Sequence, residues 1–584
     1  MKSSKLKIPF LLIPLIATLS APQAFSAPPA GHPRVSTMDI TLFELIAADI
    51  AAHRGDADFA CDAWFDVAQR KQSAEAAELA WQAAVTSRNS KRMQQTAELW
   101  LKLDPTAESA HLTLLANAVA TNATDKIRSE VKTLAANASK KERGDARGDW
   151  LLRLLNTLNH PSRGEPGLHT LVTTLTPEVT KYRLRADIRV SYARLLLAAG
   201  QGDEACREAA AAVAKTTSSE LLGRAADVCW PVSSDETRKM VTNYLSKHPN
   251  DVFARLLLGR IELKLGRRAQ ALQALQAATK RPLSDARLAA SAGELALDLN
   301  DAVTAEKYLS RYIEIVREET ESADLSHLEV WLQLGNAALM QNASERAAQY
   351  YAQLSGGPFA LQARIREALA LADAGLAEKA LDVLRRAKKT LHDEAPALCN
   401  AELRLLLELG RNEEALRVAT ESIAAFPKDP DLLYETAMIE ENQGLHEAAE
   451  AHLRTLIAIQ PSHVQGCNAL GYLLADDSRN LSEARTLLER AYAASPLDPY
   501  VLDSMGWLCY REGRLKAAAE FVLSSLKRLW ETDVAEHLVE ILAVSGRNEE
   551  AEKVLVEMLR HEEQEAAQAL AKRFGLKLPR EKAQ

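Results

Sequence analysis

The chain has 584 residues, of which 47% are hydrophobic and 26% charged, so it has enough apolar material to bury along its whole length. Aromatics make up only 5%, and Ala and Leu dominate, a composition that favours helices over strands. A formal net charge of −8 argues against a nucleic-acid binder.

The first element is a leader. MKSSKLK carries Lys2, Lys5 and Lys7 without an acid, IPFLLIPLIATLSA is apolar, and APQAFSAPP follows. This three-part pattern predicts a secretory signal over 1–26, cut after Ser26 because Ala24 and Ser26 supply the small side chains before the cut. Pro9 and Pro14 interrupt an apolar run already short for a membrane span, so no transmembrane span is expected in the mature chain. No Cys follows the run, so no lipid is expected there. A retained N-terminal anchor is the alternative to cleavage.

After a linker (27–40), ITLFELIAADIAAHRGDADFACDAWFDVA (40–68) reads as one helix–turn–helix unit with Gly55 at its turn. Two more units are expected over 74–105 and 185–213, whereas 106–180 and 214–250 are helical by pattern and only weakly repetitive. SRGEPGLHTL (162–171) is the expected hinge. The divisions that follow are 41–160 for N-terminal repeat-like helices, 161–250 for degenerate repeats and 251–560 for a regular array. Residues 561–584 form a capping helix and tail.

Repetition is clearest in the regular array. AELRLLLELGRNEEALRVATESIAAFP (401–427), ETAMIEENQGLHEAAEAHLRTLIAIQP (435–461) and DSMGWLCYREGRLKAAAEFVLSSL (503–526) share one plan. An apolar helix is followed by a polar turn with Gly and then by a second helix; Pro427 and Pro461 stop the second helices. The period is about 34 residues. Units are expected to start near 252, 286, 328, 361, 396, 430, 464, 499 and 532, with one extra turn residue in DDSRN (476–480). The eighth place holds small residues (Gly259, Gly293, Gly335, Gly471, Gly506), and the twentieth holds Ala (Ala271, Ala305, Ala347, Ala380, Ala518), as two closely approaching helices require.

These features resemble the tetratricopeptide-repeat family. The resemblance implies an all-α solenoid, a right-handed superhelix of antiparallel helix pairs. The N-terminal ELIAADIAAHRGDADFACDAW together with NALGYLLADDSRNLSEARTLLERAYAASPLDPYVLDSMGWLCYREGR further resembles exported proteobacterial proteins of that family. They include lipoprotein adaptors that bind a carboxyl-terminal processing protease and help it degrade cell-wall hydrolases. An adaptor role, a periplasmic location and such protease and substrate partners are what this resemblance implies. The missing lipidated Cys is a departure from it.

The family's inner face takes the second, fifth, ninth, twelfth and thirteenth places of a unit. In the unit from Pro499 these are Tyr500, Asp503, Trp507, Tyr510 and Arg511; earlier units put Tyr434 and Met438, then Asn468 and Tyr472, at the fifth and ninth places. Aromatic and Met side chains are common anchors for a bound peptide or helix. Two roles stay open for Trp507 and Tyr472, groove anchor or packing between first helices.

No catalytic residue, cofactor or metal site is expected. Asp503 and Ser504 are neighbours on a helix and so diverge, and no His completes a triad. HEAAEAH (446–452) spaces its histidines six apart, not four. An assembly factor for envelope polysaccharide or outer-membrane export is the second reading, and an envelope hydrolase a distant third. The cysteines form no C-x-x-C pair; Cys206 and Cys229, on neighbouring expected helices, are the pair to test for a disulfide.

Overall fold

The computed structural model describes residues 37–158, 166–320 and 328–578. The signal segment, its cleavage point and most of the expected linker lie outside the described residues. So do 159–165, which include the start of the expected hinge, and 321–327.

Two compact units divide between His248 and Pro249. Among its described residues the first holds twelve α-helices, from Thr37–His53 to Ser234–Lys247. Its three sequence-legible pairs are present, for example Ala74–Thr86 with Ser90–Leu103, whose starts are capped by the side chains of Ser73 and Asn89. The weakly repetitive stretch contains a further pair, Glu108–Ala120 and Thr124–Lys141. At the expected hinge, the Gly167 amide donates to the Val119 carbonyl at 3.1 Å, and Leu168–Lys181 begins at once. A Cβ on Gly167 would lie 2.4 Å from that oxygen, so this end of the hinge segment is a tight docking point.

Among the described residues the second unit contains nine helix pairs and one closing helix. First helices begin at Val252, Ala286, Val330, Ala360, Ala395, Pro430, Val464, Pro499 and Thr532, within two residues of the expected unit starts. The last pairs are labelled here: α1 (Pro430–Asn442) with α2 (His446–Ile459), α3 (Val464–Asp476) with α4 (Leu481–Ala494), α5 (Pro499–Arg511) with α6 (Leu515–Leu526), and α7 (Thr532–Val544) with α8 (Asn548–Arg560). The closing helix is α9 (Gln564–Phe574), which buries Ala567, Leu570 and Ala571. It covers an apolar face that would otherwise end the array in water.

The small-residue positions are where helices touch. A Cβ on Gly335 would sit 2.2 Å from the Tyr351 ring, and Tyr351 is fully buried with its hydroxyl bonded to Asn336. A Cβ on Gly506 would meet Val522 at 2.4 Å and the Ala518 carbonyl at 3.1 Å. In the slipped unit the contact moves one residue, to Ala484, and Ser478 and Asn480 take up the extra length at positive φ. The Gly444 turn, at φ 75°, joins α1 to α2 in the left-handed region where only Gly is unstrained.

Burial is distributed. Each apolar cluster is shared between neighbouring pairs, as where Leu433, Leu453, Leu470, Leu488 and Val501 join α1 to α5. Such a stack holds its surface helices rigid without one central core. No described helix is long and apolar enough to cross a membrane.

Candidate partner-binding groove

Aspartate–proline steps position the groove helices. Pro430 and Pro499 take the first turns of α1 and α5, where no amide donor is needed. Asp429 caps the Leu432 amide, and Asp498 accepts from Tyr500 and Val501 at 2.9 and 3.3 Å. The helix α3 is capped instead by His463, whose Nδ1 accepts from the Gly466 amide at 2.9 Å, and the fifth and ninth places of α1 and α3 line the same groove as the second and fifth places of α5.

A groove of about 530 Å³ runs between α1, α3, α5 and the start of α7. Of the sequence-predicted residues, Tyr434, Met438, Asn468, Tyr472, Tyr500 and Asp503 line it. Tyr500 is 57% exposed, whereas Asp503 lies on the floor at 8%. The Asn468 Oδ1 is shielded from solvent and meets no donor.

Trp507, Tyr510 and Arg511 do not line this groove. Trp507 is only 6% exposed; its indole donates to Asp476 Oδ1 at 2.9 Å and its ring stacks on His537 with centroids 4.1 Å apart. The Tyr510 hydroxyl donates to Glu540 at 2.9 Å. Arg511 donates to the Asp476 carbonyl and to Ser478 Oγ, tying the end of α5 to the turn after α3. These three side chains join successive first helices together.

Sequence reasoning missed His537 and overlooked what it does to Asp503. From α7, the His537 Nδ1 meets the two Asp503 oxygens at 3.0 and 3.1 Å, and its Nε2 lies 3.5 Å from the Tyr472 hydroxyl. A His does therefore face Asp503, from the next repeat. The chemistry is still not that of a triad. Ser504 Oγ donates to the Tyr500 carbonyl within its own helix. Burial, and then the charges of Asp476, Asp503, Glu441 and Asp533, push the Tyr472 phenol well above its usual range, so it stays protonated. Asp533, another missed lining residue, occupies the second place of its unit, so the rule that found Tyr500 would have found it.

His537 makes this floor pH-sensitive. Burial alone would lower its pKa; the hydrogen bond and charge of Asp503, helped by Asp476 and Asp533, outweigh that and raise it. Protonated His537 is thus favoured in the fold. Its contribution is fully present below the unfolded imidazole pKa of about 6.5 and fades as pH rises through the raised folded value. The stability gap between wild type and His537→Gln is expected to be widest below about pH 6 and to narrow toward alkaline pH. Denaturation midpoints across that range measure it; a gap that widens with pH would contradict the assignment.

Reactive chemistry is muted elsewhere. His452 bonds Glu440 at 2.8 Å, and no group of three His, Cys, Asp or Glu that could hold a metal occurs among the described residues. Cys61, Cys399, Cys467 and Cys509 are buried and free. Burial pushes the Cys61 thiol up to about 11 and those of Cys467 and Cys509 in the same direction, which suits packing rather than nucleophilic work. Cys206 and Cys229 are joined in a disulfide, with Cα atoms 4.6 Å apart.

Residues 256–320, 400–464 and 472–533 match the family model for the tetratricopeptide repeat. These stretches of the regular array are tetratricopeptide repeats. A TPR repeat-containing protein of Pseudomonas aeruginosa is 36% identical over 207 residues, 35% of this chain and 35% of that protein. The TPR repeat-containing protein YpiA of Bacillus subtilis is 26% identical over 202 residues, 32% of this chain and 44% of that protein. The matched stretch thus spans about a third of the first relative and under half of the second. Among solved structures, a tetratricopeptide repeat protein from Parabacteroides merdae is 16% identical, covering 37% of this chain and 92% of that one with a TM-score of 0.31. The APC/C hetero-tetramer Cut9–Hcn1 gives 14% identity, 87% and 97% coverage and a TM-score of 0.30. A tetratricopeptide solenoid is a scaffold for protein–protein interaction, and the groove between α1, α3, α5 and α7 is the candidate place for it here.

Proposed function

We propose that this protein is an exported, periplasmic, non-enzymatic adaptor that holds a segment of a partner protein in the groove between α1, α3, α5 and α7. Its role, as the resemblance to exported family members implies, is to present substrates to a carboxyl-terminal processing protease. The groove carries the reading. It is a preformed surface on stacked helices, with Tyr434, Met438, Tyr472 and Tyr500 placed as anchors, so little ordering entropy opposes binding. The Cys206–Cys229 disulfide supports export, because such bonds persist in oxidising compartments. The leader sequence points the same way.

The test is crosslinked capture of the full chain from intact cells, read by mass spectrometry, beside Tyr500→Ala and Asn468→Ala. Both variants are checked first for wild-type helical signal. A processing protease or its cell-wall substrates should be enriched and should fall about tenfold in the variants, as loss of an interface anchor predicts. Secretion or polysaccharide machinery in their place would keep the scaffold and remove the protease role. Partners captured equally by both variants would remove the groove.

A further inference from the structure

Charge is distributed unevenly in the groove. Glu441 on α1, Asp498 and Asp503 on α5, and Glu531 and Asp533 at the start of α7 all line it, and no Lys or Arg does. Two of these acids are already engaged. Asp498 caps α5, and Asp503 holds His537, the one basic group in the lining. Glu441, Glu531 and Asp533 form no ion pair among the described residues. The shielded Asn468 Oδ1, another acceptor, lacks a donor. The groove therefore offers carboxylate oxygens and an unpartnered acceptor beside tyrosine faces, and no Lys or Arg in its lining balances that charge.

We propose that the segment bound in this groove carries a lysine or arginine whose head group enters beside Tyr472 and Asn468, facing Glu441 and Asp533. This rests on the groove reading above and names the chemistry of the occupant. An ammonium or guanidinium brings only donors and positive charge, which is what Asn468 Oδ1 and the free carboxylates lack. Its stem would lie against the Tyr434 and Tyr472 rings, whose faces attract cations. A bare metal ion fits less well, since no three ligating side chains converge among the described residues. An acidic segment would face uncompensated repulsion. The same negative field acts on the groove's own side chains: burial and then Asp476, Asp503, Glu441 and Asp533 push the Tyr472 phenol up, and against its burial Asp503, Asp476 and Asp533 raise His537.

The experiment pans a phage-displayed library of random peptides against the full chain. Selected peptides are resynthesised with a fluorescent label and titrated by anisotropy. Each is compared with an analogue in which norleucine replaces Lys or citrulline replaces Arg. The expected result is a basic residue at a constant place, an analogue about tenfold weaker, and binding that weakens with added salt. A Glu441→Gln/Asp533→Asn double variant should weaken the parent peptide by a similar factor and leave the analogue unchanged. Tyr500→Ala should weaken both. Peptides that depend on Tyr500 yet are neutral or acidic at that place, or whose analogue binds as tightly, overturn the cation and leave the groove standing. A library yielding only binders indifferent to Tyr500→Ala and Asn468→Ala, or none, overturns both.

Discussion

Replacing Trp507 with alanine is expected to destabilise the C-terminal repeats by about 3–5 kcal/mol, the range for emptying a buried Trp site. The loss has three parts in this structure. The stack on His537 ends, the Asp476 carboxylate loses its indole donor, and Tyr510 loses a ring 5.0 Å away. The effect should be local, because a repeat array transmits stability through nearest neighbours. Hydrogen exchange should therefore show protection lost across α3, α5 and α7 while the helices from Val252 to Ala278 keep theirs. Trp507→Phe keeps a six-membered ring on His537 but gives up the hydrogen bond to Asp476 and the pyrrole half of the indole, so it should lose less, about 2 kcal/mol. If Trp507→Ala instead kept full protection and lost only partner binding, the indole would be a binding anchor and the packing assignment would fail.

The disulfide should matter nearly as much to the first unit. Cys206 and Cys229 are 23 residues apart and join the helices Gly202–Val213 and Ser219–Cys229. Closing a loop of that size restricts the unfolded chain by about 3 kcal/mol. The Cys206→Ala/Cys229→Ala variant should therefore unfold at distinctly lower denaturant, and reductant should bring wild type to the same midpoint. Alkylation gives the chemical check. Protein isolated from its native compartment without reductant, then denatured, should expose four thiols, with all six reacting after reduction. Six thiols without reductant would contradict both the bridge and the exported location.

The regular array was legible because close helix approach leaves residues with little freedom. Gly335 and Gly506 face Tyr351 and Val522 at distances no side chain tolerates, so the period shows on the surface of the sequence. The pair at 108–141 was not legible, since its turn uses Asn122 at φ 54° in place of Gly, and Ala107 and Ala123 begin its helices without a side-chain cap. Pro177 likewise disguises Leu168–Lys181, which continues through it. In the groove, register alone located Tyr434, Asn468, Tyr472 and Tyr500, because a place in the repeat fixes the face. It could not decide what Trp507 does. Its partners Asp476 and His537 lie in the repeats before and after it, and pairing between repeats depends on side chains that vary from unit to unit.

The most direct measurement is site-specific photocrosslinking in intact cells. A photoreactive residue replaces Tyr500, which stands open on the groove, or Leu523, which is 43% exposed on α6 and lies outside the groove lining. The account predicts a discrete partner adduct from position 500 and none from position 523. Adducts from 523 alone, or equal yields from both, would contradict a partner held in this groove.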